Sequence, residues 1–170
     1  MVRIGEMFDA EEIFLPEVVI AADAMKAVSK IFIPACQTSS KTCKMGKVII
    51  GTVEGDVHDV GKCIVAAMLE SAGFEVVDLG RDVLLKKFID KAKEIQPDII
   101  GVSALMTATR IGQKTIIDML IKENLKNKVK VMIGGAATSG EWAQQIGADA
   151  WGENAPDAIR KAIKLVSKQN

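Results

Sequence analysis

The chain has 170 residues, 49 % of them apolar, and 22 basic side chains balance 22 acidic ones to a formal net charge of zero. That balance gives no electrostatic footprint for nucleic acid or an anionic membrane surface, and no apolar run approaches a membrane-spanning length. Cys36, Cys43 and Cys63 are irregularly spaced and accompany a single histidine, which argues against a structural zinc site and for reduced thiols in a cytoplasmic protein.

Residues 1–33 read as a separate helical piece, with no secretory leader because acidic residues interrupt the start. Pro16 lies near a helix start, and Val18, Ala21, Met25, Val28 and Phe32 recur at three- and four-residue steps. Ile20, Ala24, Ala27 and Ile31 make the opposite face apolar too, so this helix needs more than one packing partner. Residues 34–46, with the Ser-, Thr- and Lys-rich stretch Gln37 to Lys44, read as a linker.

From residue 47 to the end, strands and helices alternate. Lys47 to Val53 is an apolar strand, and Val60 to Ala72 a helix stopped by Gly73. A strand over 74–79, a helix over 84–95 ended by Pro97, a strand over 99–103 and a helix over 111–123 follow. A strand over 129–133 breaks at Gly134-Gly135; a short helix at 142–146, a strand at 148–151 and a last helix capped by Asn154 complete the chain. The strands are apolar throughout rather than alternating, as when helices cover both sheet faces. The expected fold is α/β, a doubly wound five-stranded parallel sheet in the flavodoxin-like order 2-1-3-4-5, with a short N-terminal helical cap. Such sheets bind ligands at the carboxyl ends of their strands, where the order reverses.

Three features fall on those ends. His58 lies just past strand 1, Ser103 ends strand 3, and Gly134-Gly135 end strand 4. A neutral imidazole ligates transition metals, and a carboxylate on its other nitrogen fixes the tautomer; Asp56 is placed for that, with Ser103 next in a hydrogen-bond chain. Gly61, Gly134 and Gly135 let a flat or extended ligand approach the backbone. Each feature alone has a plainer use: a solvated histidine, turn or N-cap roles for Asp56 and Asp59, a serine serving local backbone, an ordinary Gly-Gly turn. Their convergence on adjacent strands is harder to dismiss. A receiver domain would need an aspartate after strand 3 and a lysine after strand 5, where Ser103 and Trp151-Gly152 stand. Flavin binding is weakly supported at 4 % aromatic content, and the dinucleotide Gly-x-Gly-x-x-Gly pattern is missing after strand 1.

Asp56-Val57-His58-Asp59-Val60-Gly61, Ser103-Ala104-Leu105 and Gly134-Gly135, separated by 41 and 28 residues, resemble the cobalamin-binding module of corrinoid methyltransferases. Gly5-Glu6-Met7-Phe8 and Phe14-Leu15-Pro16-Glu17-Val18 are similar to the helical cap of the small corrinoid proteins that serve methylamines and methanol, relatives of the methionine synthase module. The resemblance implies a cobalamin or related corrinoid with its own base displaced and His58 as lower axial ligand, backed by Asp56 and Ser103. It further implies a binding loop of Gly55, Asp56, Val57, His58, Asp59, Val60 and Gly61. The nucleotide tail would lie among Ser103, Leu105, Thr107, Gly134, Gly135 and Ala136, closed over by Gly152, Glu153 and Asn154.

On this resemblance Co(I) takes a methyl group from a substrate held by a partner methyltransferase. Methylcobalamin then yields the methyl to a thiol or pterin on a second methyltransferase, and a reductive activase restores Co(II) to Co(I). The chain is expected to be a carrier subunit, with Phe8, Phe14 or Leu15 over the methyl-bearing face. The family cap has four helices and residues 1–33 hold about two, so a shortened cap, or one completed in a homodimer, is expected. An adenosylcobalamin mutase subunit, a cobalamin sensor and a storage module share the core pattern. The cap disfavours the first and the lack of a basic recognition helix the second.

Overall fold

The computed structural model describes residues 2–14, 16–21, 23–24, 27 and 45–167. The N-terminal part contributes helix α1 (Val2–Asp9) and helical residues from Pro16 onward. Of the expected linker over 34–46, residues 34–44 lie outside the described residues, as do Leu15 and much of the second half of the cap, while Gly46 already belongs to the first strand.

From residue 46 the elements are β1 (Gly46–Thr52), α2 (Val60–Ser71), β2 (Phe74–Asp78), α3 (Leu85–Ile95) and β3 (Ile99–Ser103). Then come α4 (Ile111–Lys122), β4 (Lys130–Gly134), α5 (Gly140–Ile146), β5 (Ala150–Gly152) and α6 (Ala155–Ser167). All strand pairs are parallel, in the order β2-β1-β3-β4-β5, as the sequence implied. The last strand starts later than the sequence suggested. Gly147 ends α5 in a left-handed conformation at φ 76°, and Ala148 is spent satisfying the helix carbonyl of Ala143.

Alternate strand residues face opposite layers. Ile49, Ile100 and Val131 pack with Phe88 and Ile89 of α3, Ile116 and Leu120 of α4, and Ile146 of α5. Val48, Ile99 and Met132 pack with Ile64 and Leu69 of α2 and Ile159 of α6, where Val18 of the N-terminal part joins them. The N-terminal helix is seated closely: a Cβ at Gly5 would lie 2.6 Å from Pro156 Cγ and 2.9 Å from Met68 Cε. It therefore rests on α6 and α2 at the end of the sheet where the strands finish.

Phe88 anchors the first layer. It is fully buried, and its ring fills the space a side chain at Gly51 would take, since a Cβ there would lie 2.8 Å from Phe88 Cζ. Phe88→Ala is expected to lower unfolding stability by about 3–5 kcal/mol, read as a drop in the urea midpoint.

Candidate functional site

The carboxyl end of β1 delivers the site. After Val53 the chain turns through Gly55, at φ 81°, and places Asp56 in full burial beneath the exposed ring of His58. Asp56 Oδ1 accepts from His58 Nδ1 at 2.8 Å and from the His58 amide at 3.1 Å. Its Oδ2 accepts from the amides of Leu105 at 2.7 Å and Met106 at 3.3 Å and from the Thr109 hydroxyl at 2.8 Å. Burial alone would raise the Asp56 pKa. The bonds from the His58 ring, the Leu105 and His58 amides and Thr109 outweigh it and hold the carboxyl well below the usual carboxylate range.

An ionised Asp56 can only accept, so Nδ1 is the protonated ring nitrogen facing it. In the neutral ring the lone pair then sits on Nε2, which has no hydrogen-bond partner among the described residues. The loop is clamped from outside as well: the Gly55 amide donates to Asp82 Oδ1 at 2.7 Å, and the Asp82 amide donates to the Asp56 carbonyl at 3.0 Å. Thr52, also buried, donates its hydroxyl to the His58 carbonyl at 3.0 Å.

His58 opens on a cleft of about 760 Å³. Of the residues singled out in the sequence, Val57, His58, Asp59, Val60, Gly61, Ser103, Leu105, Gly134, Gly135, Ala136, Gly152, Glu153 and Asn154 all line it. Phe8 reaches it from α1, whereas Phe14 stands 70 % exposed and away from it. Gly55 and Asp56 lie behind the lining and shape the loop.

Two expectations need correction. Ser103 was expected behind Asp56, but Thr109 takes that place, and no hydrogen bond joins Ser103 to Asp56 among the described residues. Thr107 was expected to line the cleft and is instead exposed outside it. Both follow from a helical turn after β3, in which the amides of Thr109 and Arg110 donate to the Met106 carbonyl. That turn swings Thr107 outward and brings Thr109 under the carboxylate.

Residues that the sequence reading left unassigned also line the cleft: Lys62, Arg81, Thr138 and Trp151. The buried Lys62 amine pairs with Asp78 at the end of β2. Gly135 has an internal reason to be glycine: at φ 111° a Cβ would lie 2.1 Å from the Ala104 carbonyl oxygen. Gly61 has none, since a Cβ there would meet nothing within 4 Å. Its missing side chain leaves room in the cleft rather than relieving the chain's own packing.

Among the described residues no group of three or more His, Cys, Asp or Glu side chains could hold a metal ion. One imidazole cannot retain a bare cation, so a metal at Nε2 must arrive with its other ligands already in place. The fold and site thus define a doubly wound module with a carboxylate-backed imidazole beside a long glycine-edged cleft. Consistent with this, residues 46–160 match the B12 binding domain, and residues 1–44 match a second family model also described as a B12 binding domain. The chain belongs to the B12-binding family, whose cofactor is a corrinoid.

It is 52 % identical over 167 residues to dimethylamine corrinoid protein 3 of Methanosarcina mazei, covering 98 % of this chain and 100 % of the relative. A cobalamin-binding protein from Desulfitobacterium hafniense superimposes with a TM-score of 0.83 at 36 % identity, covering 96 % of this chain and 77 % of that one. The methanol:cobalamin methyltransferase complex MtaBC from Methanosarcina barkeri matches with a TM-score of 0.81 at 34 % identity, covering 96 % of this chain and 62 % of that one.

Two outcomes follow. Asp56 has a depressed pKa when folded, so its stabilising contribution is complete above about pH 5 and is lost as pH falls through roughly 4 and below. Apo Asp56→Asn should be less stable than wild type at neutral pH and lose less stability on acidification, measured by urea midpoints from about pH 7 to 3. Gly61→Ala should leave apo stability equal or raised by up to about 1 kcal/mol, because alanine favours the helix, while weakening corrinoid binding roughly tenfold or more.

Proposed function

We propose that this chain is a methyl-carrying corrinoid protein of a methylamine- or methanol-type methyltransferase system, in which His58 would hold the corrinoid cobalt through its Nε2. The observation that carries the reading is the Nε2 of His58, without a partner among the described residues, on a cleft-lining ring whose other nitrogen is fixed by Asp56. The bound corrinoid supplies a nucleophilic metal centre able to accept and release a methyl group.

The chain supplies what that centre needs from a protein. His58 offers one nitrogen, and Asp56, through the Nδ1–H bond, fixes the tautomer so that the Nε2 lone pair is directed at the cleft. Thr109 and the Leu105 and Met106 amides hold the carboxylate still, so the ring cannot swing away with it. Val57, Val60, Leu105 and Met106 are exposed apolar residues beside His58, suited to the apolar underside of a macrocycle. Ser103, Leu105, Gly134, Gly135 and Ala136, with Gly152, Glu153 and Asn154, are assigned to the detached nucleotide tail. Lining the cleft from α1, Phe8 is assigned to the upper side.

No side chain in the cleft is arranged to activate a methyl donor, so that task belongs to partners. A substrate-specific methyltransferase charges the carrier, a second one discharges it to a thiol or pterin, and a reductive activase restores the reduced metal. The matched MtaBC structure, by its description, is a complex of methyltransferase type. A second copy of this chain is the proposed cover for Phe14, Val19 and Ile20, which stand exposed on the N-terminal part. The exposed free thiol of Cys63 suits a reducing compartment, the cytoplasm, and among the described residues no helix is long and apolar enough to cross a membrane.

Reconstitution with cobalamin should give a histidine-ligated cobalt spectrum, with nitrogen hyperfine structure from an imidazole in the Co(II) state. His58→Ala should abolish that signature while the variant stays folded. A His58→Ala spectrum identical to wild type would remove His58 from the axial position.

A further inference from the structure

Gln113 does not itself line the cleft, and it is fully buried in the first turn of α4. Its Nε2 donates to the carbonyls of Val102 at 2.9 Å and Gly134 at 3.2 Å, and its Oε1 accepts from the Trp142 indole at 3.0 Å. Carbonyls only accept and an indole N–H only donates, so the three partners allow one orientation of the amide. Both amide hydrogens and the oxygen are used, away from water, where leaving a partner unpaired is expensive.

Val102 and Gly134 stand at the ends of β3 and β4. Both line the cleft and lead into further lining residues: Ser103 and Leu105 on one side, Gly135 and Ala136 on the other. These segments are already in backbone contact, since the Ala104 amide donates to the Gly134 carbonyl at 3.0 Å. Behind them the β4–α5 loop is fastened at further points. Thr138 Oγ1 donates to the Gly135 carbonyl at 2.6 Å and accepts from the Trp151 indole at 3.0 Å. Arg110 donates to the Ala137 carbonyl at 3.2 Å and lies 4.6 Å over the Trp142 ring. Trp151 thus serves the loop that edges the cleft through a hydrogen bond to Thr138, and Trp142 bonds Gln113 instead.

We propose that Gln113 is a positioning residue that sets the spacing of the β3 and β4 ends and thereby the seat of the cofactor's nucleotide tail. The proposal rests on the corrinoid reading of the cleft. It assigns tail affinity to a residue that no contact with the ligand would reveal. Gln113 grips both strand ends with one rigid amide, and the Trp142 indole stops that amide from rotating.

Gln113→Met keeps the volume and removes all three bonds; Trp142→Phe removes the indole donor together with part of the ring under Arg110. In apo Gln113→Met, amide exchange at Ala104 should quicken roughly tenfold or more. Cobalamin affinity should fall roughly tenfold or more, while affinity for cobinamide, a corrinoid without the nucleotide tail, should fall less than about threefold. Trp142→Phe should show the same selectivity at roughly threefold, and it carries the test alone if Gln113→Met does not fold. Equal losses for the two corrinoids, unchanged cobalamin affinity, or unchanged Ala104 exchange in a folded variant each overturn the proposal. Failure of the wild-type protein to bind either corrinoid would instead overturn the functional reading on which it rests.

Discussion

The site depends on one buried carboxylate. Asp56 is removed from water, which disfavours its charge, and five donors from three segments of chain restore that charge. Two come from His58 itself, two from the backbone after β3 and one from Thr109. Such convergence stitches the loop after β1 to the loop after β3, the two strands between which the sheet order reverses. Losing any one donor leaves a buried anion undersatisfied, so His58 is held as firmly as the fold.

That arrangement explains why a single histidine suffices. A protein that builds its own metal cage must pre-position several ligands and bear their mutual repulsion. This chain instead fixes one imidazole nitrogen, and on the proposed reading the remaining coordination would come with the corrinoid. Its effort goes into orientation, with Asp56 behind the ring and Asp82 pinning the loop from the β2 side. Asp82 adopts a left-handed backbone at φ 50° to do so, a local cost accepted where two loops must meet.

The sheet order and most element limits were legible because their causes are local: apolar runs, glycine and proline stops, and the Asn154 cap, whose side chain accepts from the Asp157 amide. His58 and Asp56 were legible for the same reason, lying two residues apart on one loop. Thr109 was not, because its role requires knowing that the chain makes a helical turn after Ser103, and spacing from β3 pointed instead to Ser103 and Thr107. Gln113 was still less visible. A glutamine inside an amphipathic helix reads as a surface residue, and only the packing of α4 against the ends of β3 and β4 turns it inward. Gly61 and Gly135 look alike in sequence yet differ in cause, one leaving space for a ligand and the other making way for a carbonyl.

These late-found residues share one short segment. Thr109, Arg110 and Gln113 occupy the entry to α4 and the turn before it, and each holds a different part of the cleft. Thr109 secures the carboxylate behind the His58 imidazole, while Arg110 holds the β4–α5 loop at Ala137 and Gln113 ties the two strand ends together. Ligand-facing loops are usually the less stable parts of a fold, because few of their polar groups are satisfied internally. Here the loops that face the cofactor are anchored to the start of one helix whose apolar face, Ile116, Ile117 and Leu120, lies in the core. The His58 side and the Gly134-Gly135 side of the cleft therefore share a rigid reference. A corrinoid protein that carries a methyl group needs that property, because the two sides of the cleft must hold one cofactor in a fixed relation.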